Sequence, residues 1–289
     1  MPTKIEKDEI SGQQTTGHEW DGIKELDTPM PKWWLYTFYA TILFSAVYFV
    51  LFPSVPFVNS YFGGILGYNQ REDVARRMEE AAAEQAPFMQ RVAAATLEEI
   101  RGNPELLTYA QIGGRIAFNN NCAPCHQVGG AGARGYPNLA DDDWLWGGRL
   151  EDIHKTIQYG IRNSDERSRQ SAMPRYGADR ILDQKQIGEV AEYVLSLSGR
   201  AEDAERAARG AQVFAEQCVA CHGERGEGNR ELGAPDLTNA IWLYGGDRRS
   251  IVETIYNARN GAMPAWEGRL DAATIKMLSV YVHALGGGE

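Results

Sequence analysis

Two copies of one short motif carry the residues best suited to chemistry in this chain. The motif reads NCAPCH at residues 121–126 and QCVACH at residues 217–222. Each copy contains C-x-x-C-H, the attachment signature of a c-type haem. Two intervening residues in a helical turn put both thiols within reach of the vinyl groups on one porphyrin edge, and the next residue brings an imidazole under the iron. The sequence predicts two covalent haem c groups, attached through Cys122, Cys125, Cys218 and Cys221, with His126 and His222 as axial ligands.

Other sites that use paired cysteines fit the pattern less well. A C-x-x-C pair also occurs in thioredoxin-like redox sites and in zinc sites. The first would need a strand-rich βαβ context, and a four-cysteine zinc ribbon would need the two pairs much closer in the chain. Neither explains a histidine directly after both pairs. The chain has 4 cysteines, so none remains for a disulfide or a lone nucleophile.

The sixth iron ligand is predicted from a repeat. Of the 7 methionines, Met173 and Met263 alone recur at equivalent places, each followed by proline in a loop. Because proline fixes φ and removes a donor, it stiffens a loop that must aim one sulfur. Met277 lies in an apolar helical pattern and is predicted to be core. His154 and His283 are the alternative sixth ligands, although neither recurs in both copies.

The repeat covers most of the second half of the chain. Residues 114–122 match 210–218, PNL at 137–139 matches PDL at 235–237, and WLWGG at 144–148 matches WLYGG at 242–246. The first copy carries extra residues near 164–171. A helix is predicted over Leu150–Tyr159, and no convincing strand pattern occurs. Each copy is predicted to fold around its own haem.

An uncharged segment at 33–52 predicts a membrane anchor. A helix of this length is about 30 Å long, which matches the hydrocarbon thickness of a bilayer. Trp33, Trp34 and Tyr36 suit one interface, and Pro53 ends the helix at the other side. A cleavable signal peptide would have a shorter apolar core and a short basic leader. The leader here is acidic, so the anchor is predicted to be uncleaved.

The remaining N-terminal segments give weaker signals. Residues 1–32 show no helical or strand period and are predicted to be a mostly extended tail, in which Trp20 and Ile23 are either incidental or part of a docking segment. Residues 71–86 and 88–101 are predicted as short helices separated by Pro87. The net charge of −10 argues against nucleic acid as a partner.

Each copy resembles a class I cytochrome c domain in the order of its parts, and the whole chain resembles the dihaem subunit of the cbb3-type cytochrome c oxidases. The second resemblance rests on GHEWDGI at 17–23, ELD at 25–27, PKWW at 31–34 and LGY at 66–68. It implies an all-α fold with two tandem class I cytochrome c domains preceded by a single N-terminal transmembrane helix. It also implies that the carbonyls of Pro137 and Pro235 accept a hydrogen bond from the axial histidines.

The expected organisation follows from the anchor and the haem. The predicted segments are a cytoplasmic tail (1–32), a transmembrane helix (33–53), a periplasmic linker with short helices (54–106), and cytochrome c domains at 107–199 and 204–289. Covalent haem attachment in bacteria occurs outside the cytoplasmic membrane. The haem domains are therefore expected in the periplasm, on a single-pass protein of the bacterial inner membrane.

The resemblance implies a non-catalytic electron-transfer subunit. It would pass electrons from a donor cytochrome c toward a monohaem cytochrome c subunit and the oxygen-reducing core subunit, with membrane lipid around the anchor. Two alternatives are a free-standing tethered dihaem carrier that serves another respiratory complex and a dihaem peroxidase. A peroxidase needs an open coordination position, which the two repeat-equivalent methionines disfavour.

Overall fold

The computed structural model describes residues 4–289, which divide into two compact units, one up to Ala83 and one spanning Glu84–Glu289. The first unit contains strands β1 (Thr15–Trp20) and β2 (Ile23–Leu26) and helix α1 (Lys32–Leu51). Helix α2 (Gln70–Ala94) begins in the first unit and ends in the second.

An antiparallel β-hairpin replaces part of the predicted extended tail, so that prediction is wrong for β1 and β2. The tip residues Asp21 and Gly22 have φ of 48° and 85°, as a two-residue type I′ turn requires. Trp20 Nε1 donates to Glu25 Oε1 across the strands at 3.2 Å. The Asp21-Gly22 dipeptide was the available turn signal, but the strands showed no apolar alternation because almost all of their side chains are exposed, including Trp20 at 66% and Ile23 at 72%.

Helix α1 confirms the predicted long apolar helix. It has 20 residues and no buried side chain, and it ends just before Pro53. A soluble core helix would bury one face. Within residues 4–289, α1 is the helix that is long and apolar enough to cross a membrane.

The second unit is built mainly from helices. Pro87 lies inside α2, so the predicted break there is wrong; the residue is exposed, and water can bond the carbonyl that loses its donor. The helix at Leu150–Tyr159, α6, has the bounds predicted for it. The remaining helices are α3 (Leu97–Gly102), α4 (Pro104–Asn121), α5 (Ala123–His126), α6 (Leu150–Tyr159), α7 (Gln184–Leu197), α8 (Ala204–Gln217), α9 (Val219–His222), α10 (Arg248–Asn257) and α11 (Ala272–His283).

The helices of the two sequence copies pack crosswise. Helix α4 opens the first copy and packs on α11, which closes the second; α7 closes the first copy and packs on α8, which opens the second. Helices α6 and α10 join α11 and α7 respectively. One core therefore combines Phe118, Ile153 and Ile157 with Leu278 and Val282, and the other combines Phe214, Ile251 and Ile255 with Val190 and Val194.

Each core is therefore shared between the two copies, and the connection between the copies explains why. Only residues 198–203 separate α7 from α8, and such a short connection makes consecutive helices antiparallel neighbours. Gly210 lets α8 approach α7, because a Cβ there would overlap the backbone of Glu189. Gly114 has the same role for α4, where a Cβ would overlap the backbone of Met277.

A buried carboxylate fixes this connection. Glu192 in α7 is 1% exposed. Its Oε1 accepts the N–H groups of Glu202 and Asp203 at 2.5 and 3.0 Å, and its Oε2 accepts Arg248 Nε at 3.1 Å. Burial raises the pKa of Glu192, but these donors together outweigh burial and hold the pKa below its usual value. The bend between α7 and α8 therefore depends on the ionised carboxylate.

Replacing Glu192 with glutamine should lower the free energy of unfolding by about 2–4 kcal/mol at pH 7, because breaking a buried ion pair costs about 3–5 kcal/mol and the amide keeps one acceptor. Since the folded pKa is depressed, this stabilisation is present above the unfolded pKa of about 4.3 and is lost as pH falls through the folded pKa. Denaturation curves at pH 7 and near pH 3 measure both effects.

The matched control is Glu202→Gln, since Glu202 contributes its backbone N–H to the bend. This variant removes the same charge and should leave stability nearly unchanged. A Glu192→Gln deficit that stayed equal at acid pH would contradict the role given to the ionised carboxylate.

Candidate haem sites

The two C-x-x-C-H motifs adopt the same one-turn helix, as their spacing predicts. In α5 the N–H groups of Cys125 and His126 donate to the carbonyl of Cys122 at 3.1 and 2.9 Å. In α9 the N–H groups of Cys221 and His222 donate to the carbonyl of Cys218 at the same two distances. The two motifs therefore have equivalent backbone geometry, and neither is a distorted version of the other.

Each motif histidine is oriented by a prolyl carbonyl. His126 Nδ1 donates to the Pro137 carbonyl and His222 Nδ1 to the Pro235 carbonyl, both at 3.1 Å, which confirms the bond that the resemblance implied. Burial lowers the pKa of both histidines by more than this bond raises it. Near neutral pH the imidazoles are thus uncharged, with Nε2 available, which is the form that binds a metal.

A glycine after each motif allows the proline loop to lie close to the motif. Gly132 N–H donates to the His126 carbonyl, and Gly228 N–H donates to the His222 carbonyl, both at 2.8 Å. Both glycines have positive φ, and a Cβ there would lie 2.6 Å from Asn138 N and 2.7 Å from the backbone N of the residue after Pro235. A larger residue would push the prolyl carbonyl away from the histidine that it orients.

The motif thiols lie in an apolar setting. Burial, together with the neighbouring motif cysteine, raises the pKa of Cys122 and of Cys218 to about 11. Cys122 packs against the core that contains Phe118, and Cys218 against the core that contains Phe214. Neutral thiols on an apolar wall, next to an imidazole with a free nitrogen, fit a flat apolar macrocycle that is held by thioether bonds and ligated from one side.

The crosswise packing determines which methionine shares a core with which motif. Met263 packs in the core that contains Cys122, and Met173 packs in the core that contains Cys218. The sequence could not show this pairing, because the repeat is compatible with closure within a copy or across copies. The short α7–α8 connection was its only signal.

Each methionine loop is held by an asparagine of the other copy. Asn163 Nδ2 donates to the Met263 carbonyl at 2.8 Å, and Met263 exchanges two backbone hydrogen bonds of 2.9 Å with Ile161. Asn260 accepts from Met173 N and donates to the Met173 carbonyl, both at 3.0 Å. Sequence reasoning missed both asparagines, because they do not occupy the same position in the repeat.

The alternative ligands have other surroundings. His283 Nε2 donates to the carbonyl of Glu289 at 3.0 Å. Burial and the positive charge of Lys276 lower the pKa of His154. Met277 is 5% exposed, which confirms it as a core residue. The four cysteines are unbridged, and within residues 4–289 no group of three or more His, Cys, Asp and Glu side chains could hold a bare metal ion.

Comparison with known proteins decides the family. The model for the N-terminal domain of cytochrome oxidase-cbb3, FixP, matches residues 12–59, that for cytochrome c matches 110–198, and that for cytochrome c oxidase, cbb3-type, subunit III matches 205–282. The cbb3-type cytochrome c oxidase subunit CcoP of Azospirillum brasilense is 52% identical over 98% of this chain and 99% of its own length. The chain belongs to the CcoP/FixP family.

Further relatives give the same result. The CcoP subunit of Cereibacter sphaeroides is 51% identical and the FixP subunit of Bradyrhizobium diazoefficiens 49% identical, each over the full length of both chains. The family membership confirms the resemblance seen in the sequence. The chain is mostly helical and carries two cytochrome c domains in tandem, which implies that it binds haem c; within residues 4–289 it has one apolar helix that suits membrane anchoring.

Proposed function

We propose that this chain is the electron-entry subunit of a cbb3-type cytochrome c oxidase. It accepts electrons from a donor cytochrome c and passes them through two covalently bound haem c groups toward the monohaem subunit and the oxygen-reducing core subunit. The observation that carries the proposal is the pair of equivalent motif sites, each with a neutral histidine aimed by a prolyl carbonyl. Oxygen reduction itself belongs to another subunit.

The ligand sets follow the crosswise packing. Bound haem c supplies a one-electron ferric/ferrous couple; the chain holds it covalently, fills both axial positions and keeps water away from the iron. Thioether ligation favours ferrous iron and raises the potential, and six-coordination leaves no place for a substrate. The first set is Cys122, Cys125 and His126 with Met263, and the second is Cys218, Cys221 and His222 with Met173.

The proposed location is the bacterial inner membrane. Residues 1–32 form the cytoplasmic tail, 33–53 the span and 54–106 the periplasmic linker, and the two cytochrome c segments at 107–199 and 204–289 lie in the periplasm. The exposed apolar helix α1 supports the span. The acidic hairpin before it, with Trp20 and Ile23 at its tip, offers contacts on the cytoplasmic side.

Extraction of bacterial membranes in a mild detergent should recover this chain together with the core and monohaem subunits. The purified complex should consume oxygen with reduced cytochrome c as donor, and a haem-stained gel with pyridine haemochrome quantification should give two haems for this chain. A free-standing tethered carrier is the second candidate. Recovery of the intact dihaem chain without oxidase subunits would favour that carrier and contradict the proposal.

A further inference from the structure

The uncharged part of the chain continues well beyond helix α1. No charged residue occurs from Trp33 to Gln70, so residues 53–68, here called the cap segment, are as free of charge as α1 itself. Large apolar side chains of the cap segment are exposed, with Val58 at 98% and Ile65 at 73%. The others are Val55, Phe57, Tyr61, Phe62, Leu66 and Tyr68. Protein surfaces in water rarely carry so many neighbouring apolar side chains, so this surface is suited to an apolar contact.

The cap segment bonds the end of α1. A helix leaves its last four carbonyls without a partner inside the helix. In α1 all four accept a hydrogen bond, and three of the donors belong to the cap segment. The bonds run from Phe52 N–H to Tyr48, from Ser54 Oγ to Phe49, from Ile65 N–H to Val50 and from Leu66 N–H to Leu51, at 2.9, 3.0, 3.0 and 3.1 Å. This end of α1 therefore needs no water, which suits an apolar surrounding where an unsatisfied backbone group is costly.

The cap segment also bonds part of its own backbone. Ser54 N–H donates to the Phe62 carbonyl at 3.0 Å, and Phe62 N–H donates to the Val55 carbonyl at 2.9 Å. Phe57 N–H donates to the Ser60 carbonyl at 2.6 Å. These bonds close a narrow hairpin over residues 54–62. The hairpin presents mainly apolar side chains and few free backbone groups, as an element at a membrane surface requires.

The bonds to α1 fix the level of the cap segment along the helix. Ile65 and Leu66 lie beside the last turn of α1, which rises about 5.4 Å. Gly64 permits this close approach, because its φ is 75° and a Cβ there would lie 2.4 Å from the Leu51 carbonyl oxygen. If α1 spans the bilayer, the side chains of Ile65 and Leu66 are at the depth of its final residues.

We propose that the cap segment is a second lipid-binding element, which lies at the boundary between headgroups and hydrocarbon on the side of the membrane where α1 ends. This inference rests on the proposed span by α1. Lipid is the partner because the exposed apolar surface is continuous with that of α1, none of whose side chains is buried. Aromatic residues suit this boundary, and apolar burial of about 5–10 Å is typical of elements that lie there. Charge begins again at Arg71, in the first turn of α2.

The test uses the full chain with its haems, reconstituted without other subunits into vesicles of phosphatidylethanolamine and phosphatidylglycerol. Thioether bonds to haem block the four native cysteines, so Ile65→Cys supplies one free thiol. The thiolate is the reacting form, and a charge is costly in lipid, so a water-soluble polyethylene-glycol maleimide should label Ile65→Cys about tenfold or more slowly than Met78→Cys. The rates are read from the gel shift of the labelled chain.

Met78→Cys is the matched control. Met78 is 68% exposed, similar to Ile65, but lies among the charged residues of α2. Both positions follow α1 in the chain, so the orientation of the chain in the vesicle affects them equally. Val58→Cys provides a second position if Ile65→Cys weakens the bonds to α1, and it should be labelled slowly as well.

Two glycine variants test the geometry of the cap segment. Gly64→Ala should detach it from α1, because the added Cβ would overlap the Leu51 carbonyl, and the labelling rate of Ile65→Cys should then rise toward that of Met78→Cys. Gly63→Ala is the matched control, since a Cβ there has no neighbour within 4 Å, and labelling should stay slow.

Equal labelling rates of Ile65→Cys and Met78→Cys in the vesicles would overturn the inference. Protection of Ile65→Cys that appeared only in the whole oxidase would also overturn it, because another subunit rather than lipid would then cover the cap segment. Labelling of the unchanged chain would instead contradict covalent haem attachment. Release of the chain from the vesicles by alkaline carbonate would contradict the proposed span.

Discussion

Met173→His should lower the midpoint potential of the haem attached at Cys218 and Cys221 and leave the other haem nearly unchanged. Met173 packs in the core that contains Cys218 and is held by Asn260, so we propose its sulfur as the axial ligand of the haem at the second motif. Exchanging thioether for imidazole favours ferric iron. Because axial ligands set haem potentials over about 0.8 V, the decrease should be on the order of 0.1 V or more.

A redox titration in which only one haem is present gives the assignment. The background Cys122→Ala with Cys125→Ala removes the first haem, and adding Met173→His should shift the haem that remains. Met263→His in the same background should leave that haem nearly unchanged. Met277→Leu is the control for a buried methionine outside the ligand sets and should leave both potentials unchanged. A decrease caused by Met263→His in this background would show that each copy ligates its own haem.

A chain that ends after Gly199 should fail to form a stable first haem site, although it contains the whole first copy. It lacks α11, against which Phe118, Ile153 and Ile157 are buried. Exposing such side chains costs about 1.5–3 kcal/mol each. The total is on the order of 5 kcal/mol or more, which is comparable with the whole stability of many domains. Circular dichroism and the red absorption band of methionine-ligated ferric haem would report the loss.

Co-expression supplies the positive control. Residues 200–289 made as a separate chain should restore folding and methionine ligation, because they contain both α11 and Met263. A chain that begins at Glu84 behind a cleavable secretion signal should keep both haems, since Glu84–Glu289 is one compact unit. If residues 84–199 alone gave a normal methionine-ligated haem, the crosswise core would not be required for folding.

Features that depend on neighbours in the chain could be predicted from the sequence. The spacing of Cys122, Cys125 and His126 allows one helical turn, and that turn is present. The uncharged run at 33–52 predicted α1 to within one residue at each end, because length and apolarity alone define such a helix. The bounds of α6 followed from its apolar period and from the glycine after Tyr159.

Features that depend on distant contacts could not be predicted. The repeat placed Met173 and Met263 at equivalent positions, but this equivalence does not show which methionine packs in the core of which motif. The deciding interaction joins residues that the local pattern does not connect.

The crosswise core also has a consequence for the time course of biosynthesis. A chain made from its N-terminus completes the first motif at His126 long before it reaches Met263 and α11, which close the core around Cys122. The second motif emerges after Met173 and α7, so these two partners already exist when it appears, and α10 follows it. The nascent first site therefore stays open until α11, the last helix, is made, while the second can close once α10 is made. An attachment enzyme would meet an accessible pair of thiols at the first motif until the last helix is delivered, and a ribosome stalled before α11 would leave that pair unprotected.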